Sequence, residues 1–266
     1  MPVSALGTVP HHAAEAEMDA VPNHRALFGV DVVGSASNPG YHLESIPRAV
    51  NSMLDEALRR SGIDPAADVI ERQHTGDGTL LTLPSERLGA LLEAANELDF
   101  LARDRNRRHR PDIRLRLAVE VGPVGDEPGF YQPRIVLARL LDASAFKELF
   151  DRCLAEGGES VNTGLVVSGT VRENVFGGDY TRLVRLDDFV ALPVEHKEFR
   201  TTAWARIPGF DSRGLAALIG GQPVHPRSPE RSDQPGGHVS NYSAGNVSGV
   251  QAGIVNGGIT FGPATR

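Results

Sequence analysis

The chain has 266 residues, a formal net charge of −7 and 40% hydrophobic residues, enough for one ordinary core and room for a second small domain. The acidic balance argues against general nucleic-acid binding, which needs a basic face. The single cysteine, Cys153, excludes an internal disulfide framework and a cysteine-based zinc site, and it suits a reducing cytoplasm.

Residues 1–22 are small, alanine-rich and without a clear period, and they read as a flexible leader carrying the pair His11 and His12. They lack an early basic region and a long apolar run, so no secretory signal is expected. No stretch approaches the roughly 18 apolar residues of a membrane span. ALFGVDVV (26–33) predicts a strand buried on both faces. In the next segment Ile46, Val50, Met53, Leu54, Ala57 and Leu58 recur at three and four positions, the apolar face of a helix. DVIERQ and GTLLTL flank a Gly-Asp-Gly turn, which signals a hairpin. Ser85 followed by Leu88, Leu91, Leu92, Ala95 and Leu98 predicts a capped amphipathic helix. The run RDRNRRHR (103–110) holds five arginines. It reads as a solvated helix end and loop, or as a contact for phosphate or an acidic partner.

Leu115, Leu117, Val119 and Val121 alternate with Arg114, Arg116, Ala118 and Glu120, which predicts a half-exposed strand. Residues 132–155 are helical in pattern, and 164–207 return to short strands around a helix at 169–176, with Trp204 read as core. Composition shifts near residue 210. From 211 to 237 Pro223, Pro226, Pro229 and Pro235 stand among charges and glycines, the composition of a disordered linker.

Two carboxylates stand out. Asp31 lies at the end of the first strand and Asp77 in the hairpin turn, each with glycine nearby to let a bulky anion approach the backbone. Mg²⁺ favours one or two carboxylates completed by substrate phosphates, so such a pair suits a metal-nucleotide site. His74, beside the turn, reads as a surface residue or, alternatively, a general base.

The order of these motifs resembles the class III nucleotide (adenylate/guanylate) cyclase catalytic domain over 23–209. The matching stretches are the D-x-x-G of Asp31 to Gly34, the TGDG turn at 75–78, IRLRLAVEVGPV (113–124), YQPRIVLARLLDA (131–143) and VEHKEFRTTAWARIPG (194–209). The resemblance implies an α+β, ferredoxin-like fold with a mixed sheet, working as a head-to-tail homodimer with composite sites. It further implies a nucleoside triphosphate closed on itself, pyrophosphate leaving, with two Mg²⁺ or Mn²⁺ ions held by Asp31, Asp77 and the carbonyl of Val32. Backbone N–H groups of Val33, Gly34 and Ser35 would meet the phosphates, with Gly76 and Gln73 also in the substrate site. The family's asparagine and arginine fall at Val136 and Leu140, with Arg134 and Arg139 close by as candidate catalytic groups. A one-place shift on a helix is about 100°, enough to aim a guanidinium away from the site. The base-selecting lysine and acidic residue fall at Gln73 and Gly129, so neither adenine nor guanine is indicated.

Residues 238–261 contain no Lys, Arg, Asp, Glu or Pro, and glycines recur at 245, 249, 253 and 257 among Val, Ile, Asn and Gln. Such composition suits stacked cross-β segments, because like charges in register repel and amides form ladders. The stretch is similar to bacterial amyloid signalling motifs related to the RIP homotypic interaction motif. Val250, Gln251, Ala252 and Gly253 stand at its V-Q-x-G core, followed by Ile254. That resemblance implies a partner protein bearing a similar motif. A floppy tail, or one strand added to a neighbour, is the alternative. Two functions are thus expected: a divergent cyclase effector regulated by assembly of its tail, or a catalytically inactive nucleotide- or partner-binding adaptor. A purely structural domain is the third reading.

Overall fold

The computed structural model describes residues 21–34, 45–76, 78–125, 131–196 and 199–221. Their strands are β1 (His24–Val32), β2 (Glu71–His74), β3 (Thr79–Pro84), β4 (Leu115–Pro123), β5 (Thr163–Val167), β6 (Val190–His196) and β7 (Phe199–Arg206). They form one seven-stranded sheet in the order β2-β3-β1-β4-β5-β7-β6. Only the β4–β5 pair is parallel; the other pairs are antiparallel. The helices are α1 (Ser45–Arg60), α2 (Leu88–Arg108), α3 (Gln132–Asp142), α4 (Ser144–Gly157), α5 (Gly169–Phe176) and α6 (Ser212–Ile219). The fold is therefore α+β, a mixed sheet with helices on both faces. None of the described helices is long and apolar enough to cross a membrane.

Strand alternation divides the core. Ala26, Phe28, Val30 and Val32 of β1 point with Leu117 and Val119 to one face, where α1, α2 and α5 pack. Leu27 and Ala118 point to the other, covered by α3, α4 and α6. On α1 the buried residues are Ile46, Val50, Met53, Leu54, Ala57 and Leu58, the stripe that the spacing predicts. The β2–β3 hairpin forms as expected, with Glu71 opposite Thr82 and His74 opposite Thr79. Gly29 lets α3 lie close on β1: a Cβ there would stand 2.7 Å from Leu141 Cδ1.

Four expectations are corrected. β4 is not half-exposed, since it is central and helices cover both faces; Ala118 and Glu120 are buried with their neighbours. The helical stretch after residue 131 is two helices, broken at Ala143, whose ψ of 122° leaves the helical region. Ser85 does not cap α2; it opens a short 3₁₀ turn, and Arg87 stands at the helix start with no side-chain cap. Finally, the first part of the expected linker is folded. Asp211 caps α6, its Oδ1 accepting from the Gly214 N–H at 2.8 Å, and Leu215 and Leu218 are buried. The later linker residues, the leader up to residue 20 and the uncharged tail lie outside the described residues.

Polar groups tie the layers together. Thr163 Oγ1 donates to Asp99 Oδ1 at 2.9 Å, while Asn106 donates to both the Ile113 carbonyl and Asn162 Oδ1. Glu120 Oε1 accepts from the Val121 N–H and from the Ser168 hydroxyl, each at 2.8 Å. Burial pushes the Glu120 carboxyl above its ordinary value of 4.5, against the pull of those two bonds. Burial likewise raises Asp99, opposed by Thr163 and Arg103. Both groups thus bind protons more readily in the folded state. Their contribution to stability is fully present below the unfolded value and is lost as pH rises through the folded one. Glu120→Gln is expected to flatten the fall of unfolding free energy with pH above about 4.5, measured by denaturant melts at stepped pH.

Candidate active site

The antiparallel register of β1 and β4 sets Asp31 directly opposite Arg116. Arg116 Nε donates to Asp31 Oδ2 at 2.9 Å, and Nη2 donates to the same oxygen at 2.5 Å. The pair is half-buried, with 16% of the arginine and 23% of the aspartate side chain exposed. The strand end continues into Val33, whose N–H donates to the Arg114 carbonyl at 2.9 Å, and Gly34, which has a positive φ of 68°. Ser35 lies outside the described residues.

The hairpin turn presses on this strand end. Thr75 N–H donates to the Gly78 carbonyl at 3.0 Å, Gly76 has φ of 80°, and a Cβ on Gly78 would stand 2.5 Å from the Val30 carbonyl oxygen. Only glycine admits that approach. Asp77, between them, lies outside the described residues. His74 faces Thr79, its Nδ1 3.4 Å from Thr79 Oγ1, and does not line the cleft described next.

A cavity of about 890 Å³ opens between the β2-β3-β1 end of the sheet and α3. It brings together Asp31, Gln73, Arg134 and Arg139 from the expected site residues, with Leu80 and Ile135 as apolar wall. Gly76, Val33 and Gly34 stand outside this lining, and the Val32 side chain is buried in the opposite core. On β2 Glu71 and Gln73, and Thr75 just beyond it, alternate toward the cavity, whereas Arg72 pairs with Asp55 of α1.

The phase of α3 corrects the expectation that a one-place shift turns its arginine away. Leu140 is fully buried and Leu137 nearly so, while Arg134, Ile135, Ala138, Arg139 and Asp142 face the cavity. Arg139 is the side chain presented, and Leu140 belongs to the core. The Arg139 guanidinium carbon lies 4.9 Å from the Phe199 ring centre, and no carboxylate pairs with it among the described residues. Arg134 Nη2 is paired with Glu71, tying α3 to β2, and its Nε is buried with no acceptor among the described residues.

Arg116 and Glu71 are the residues that sequence reading passes over. Arg116 looked like the solvated position of a strand, and the signal that finds it is register, since it sits opposite Asp31; Glu71 is found only through the packing of α3 that brings Arg134 to it. As for metal, the described residues hold no cluster of three or more His, Cys, Asp or Glu. Among the described residues Asp31, Glu71 and Asp142 bring carboxylates to the cavity wall; Asp31, at the β1 end beside the turn, fits an ion completed by phosphates, with the Arg116 guanidinium as its present cation.

No family model matches the sequence, and no curated protein shows a significant match. Solved structures to which it is similar include cyclase domains. The chain is similar to an adenylate/guanylate cyclase/hydrolase from Silicibacter pomeroyi at 17% identity and a TM-score of 0.49, over 70% of this chain and 97% of that one. It is similar to a bacterial light-regulated adenylyl cyclase at 11% identity and 0.47, over 75% and 97%. A guanylate cyclase domain from Catenaria anguillulae, solved in complex with GTP, stands at 11% and 0.45, over 70% and 96%. The fold class itself rests on the seven-stranded sheet and its helices.

Proposed function

We propose that the domain is a divergent nucleotide cyclase that takes a nucleoside triphosphate into the cavity between α3 and the β2-β3-β1 sheet and forms a cyclic nucleotide. The observation that carries this reading is the convergence of Asp31, Gln73, Arg134 and Arg139 on one cavity large enough for a nucleotide. The 3′-hydroxyl oxygen attacks the α-phosphorus as its proton passes to solvent, the bond to the bridging oxygen breaks, and pyrophosphate leaves. Mg²⁺ or Mn²⁺, held by Asp31, Asp77 and the Val32 carbonyl, would activate the attacking hydroxyl and neutralise the leaving charge. Arg139, tied to no carboxylate among the described residues, meets charge that grows on the transferring phosphoryl group. Arg134 holds β2 against α3 and keeps a buried donor beside the cavity. Gln73 offers both donor and acceptor to a base edge, and Leu80 and Ile135 give the base an apolar wall. The active unit in this reading is a head-to-tail homodimer in the cytoplasm.

The test is direct. Purified protein with each of the four nucleoside triphosphates and Mn²⁺ or Mg²⁺ should give a cyclic nucleotide with at least one of them, detected by chromatography. No product from any triphosphate, with the protein folded and dimeric, leaves the second reading: a silent module that binds nucleotide or a partner. Val136 and Leu140 at the family's asparagine and arginine positions favour that alternative.

The tail at 238–262 is proposed to switch the domain by assembling with copies of itself or with a partner bearing a similar motif. Backbone pairing along a stack, dry Val and Ile contacts and amide ladders drive it. A charge repeats at every layer, so Ile254→Asp or Gln251→Arg is expected to abolish thioflavin-positive fibres while leaving the melt of the folded domain unchanged. A 238–262 peptide that stays soluble and coil-like at high concentration, or an Asp variant that forms fibres equally well, overturns the tail proposal.

A further inference from the structure

Asp31, the one described carboxylate proposed to receive metal, is already occupied by a cation of the protein's own. Both contacting nitrogens of Arg116 converge on a single carboxylate oxygen, in a pair mostly shielded from water. A charge-assisted bond in such a place is roughly twice as strong as a neutral one and is little screened by salt. A divalent ion approaching Asp31 therefore meets a carboxylate already neutralised and a guanidinium that repels it. An anion meets the converse: a guanidinium whose charge is held by Asp31. The neighbouring groups favour moving that guanidinium rather than the carboxylate. Asp31 is held in the β1–β4 ladder, one residue beyond the last β1–β3 pair at Val30, with its carboxylate on a short side chain, whereas the arginine head sits on a long flexible stem.

We propose that Arg116 gates Asp31, making divalent-metal binding conditional on an anionic ligand that draws the guanidinium away. The proposal rests on the metal-nucleotide reading of the site. Its consequence is reciprocal coupling, because whatever frees Asp31 for metal engages Arg116, and the free energy is shared by both ligands. Metal alone binds weakly, and the phosphate chain and metal enter as partners. Arg116 is on this account a positioning residue for the metal site.

The experiment uses the full-length chain and two probes in separate vessels, since polyphosphates chelate metal. Mn²⁺ alone is titrated and its free signal followed by electron paramagnetic resonance. Inorganic triphosphate is titrated calorimetrically with chelator present. Arg116→Gln should tighten Mn²⁺ binding about tenfold or more and weaken triphosphate binding by a similar factor. Asp31→Asn should do the reverse, abolishing Mn²⁺ binding and tightening triphosphate. Arg116→Lys, which keeps the charge but loses the two-nitrogen contact, should fall between wild type and the glutamine variant. A merely structural pair moves both ligands in the same direction, so opposite movements in the two variants support the gate. Equal Mn²⁺ affinity in wild type and Arg116→Gln overturns the gate and leaves the cyclase reading standing if product forms. No Mn²⁺ binding by any form, with or without a nucleoside triphosphate, overturns both.

Discussion

Alanine in place of Asp31 is expected to lower cyclic nucleotide formation by on the order of 10³ or more, beyond the loss from removing one positioned charge donor. The carboxylate would be both the metal's anchor and the partner of Arg116, so two functions go at once. The fold feels it too. An arginine side chain only 16% exposed loses its acceptor, a loss of about 1–3 kcal/mol for a buried charged donor left unmet. Asp31→Asn separates these effects, since the amide oxygen still accepts one bond from the guanidinium but offers metal no charge. The measurement is product formed per enzyme alongside a thermal melt. An alanine variant that melts like wild type and retains more than about a tenth of its activity removes Asp31 from the chemistry.

The second large effect is on stability. Phe150 is fully buried between α4 and the sheet, and its ring stands where a Cβ on Gly164 of β5 would meet it at 2.7 Å. Phe150→Ala leaves a cavity against a strand that has no side chain at that point to fill it. A loss of about 3–5 kcal/mol is expected, a fifth or more of the stability of an ordinary domain. Leu183, 60% exposed, provides the contrast: its alanine variant should stay within about 0.5 kcal/mol. Urea midpoints of the two variants and wild type decide the matter, with an unchanged slope showing that the same transition is compared.

How far the chain could be read in advance depended on distance along it. The apolar stripe of α1 and the β2–β3 hairpin are local patterns, and six residues from Ile46 to Leu58 sufficed to place one face of a helix. β4 misled because its polar residues find partners elsewhere in the chain: Arg116 meets Asp31 and Glu120 meets Ser168. A buried charge with a partner looks, in sequence, like a solvated one. α6 was hidden for another reason. A short helix between Asp211 and Gly220 sits at the start of a proline- and glycine-rich stretch, and window composition outweighed two buried leucines. The site was half visible. Asp31 shows itself through strand and glycine, but the phase of α3, which buries Leu140 and presents Arg139, follows from packing against Gly29 and its neighbours.

The two ends of the sheet have a consequence for crowding. At one end β2 is four residues long and reads Glu-Arg-Gln-His; at the other, β6 carries Pro193, which has no N–H to give a newcomer. Short, charged or proline-bearing borders are poor templates for an incoming extended peptide. If the tail stacks as proposed, such borders would keep the folded domain from being drawn into the stack. Under that proposal, sheets of copies gathered by their tails would not zip together edge to edge. Concentration of intact domains, without conversion of them, is what such borders permit.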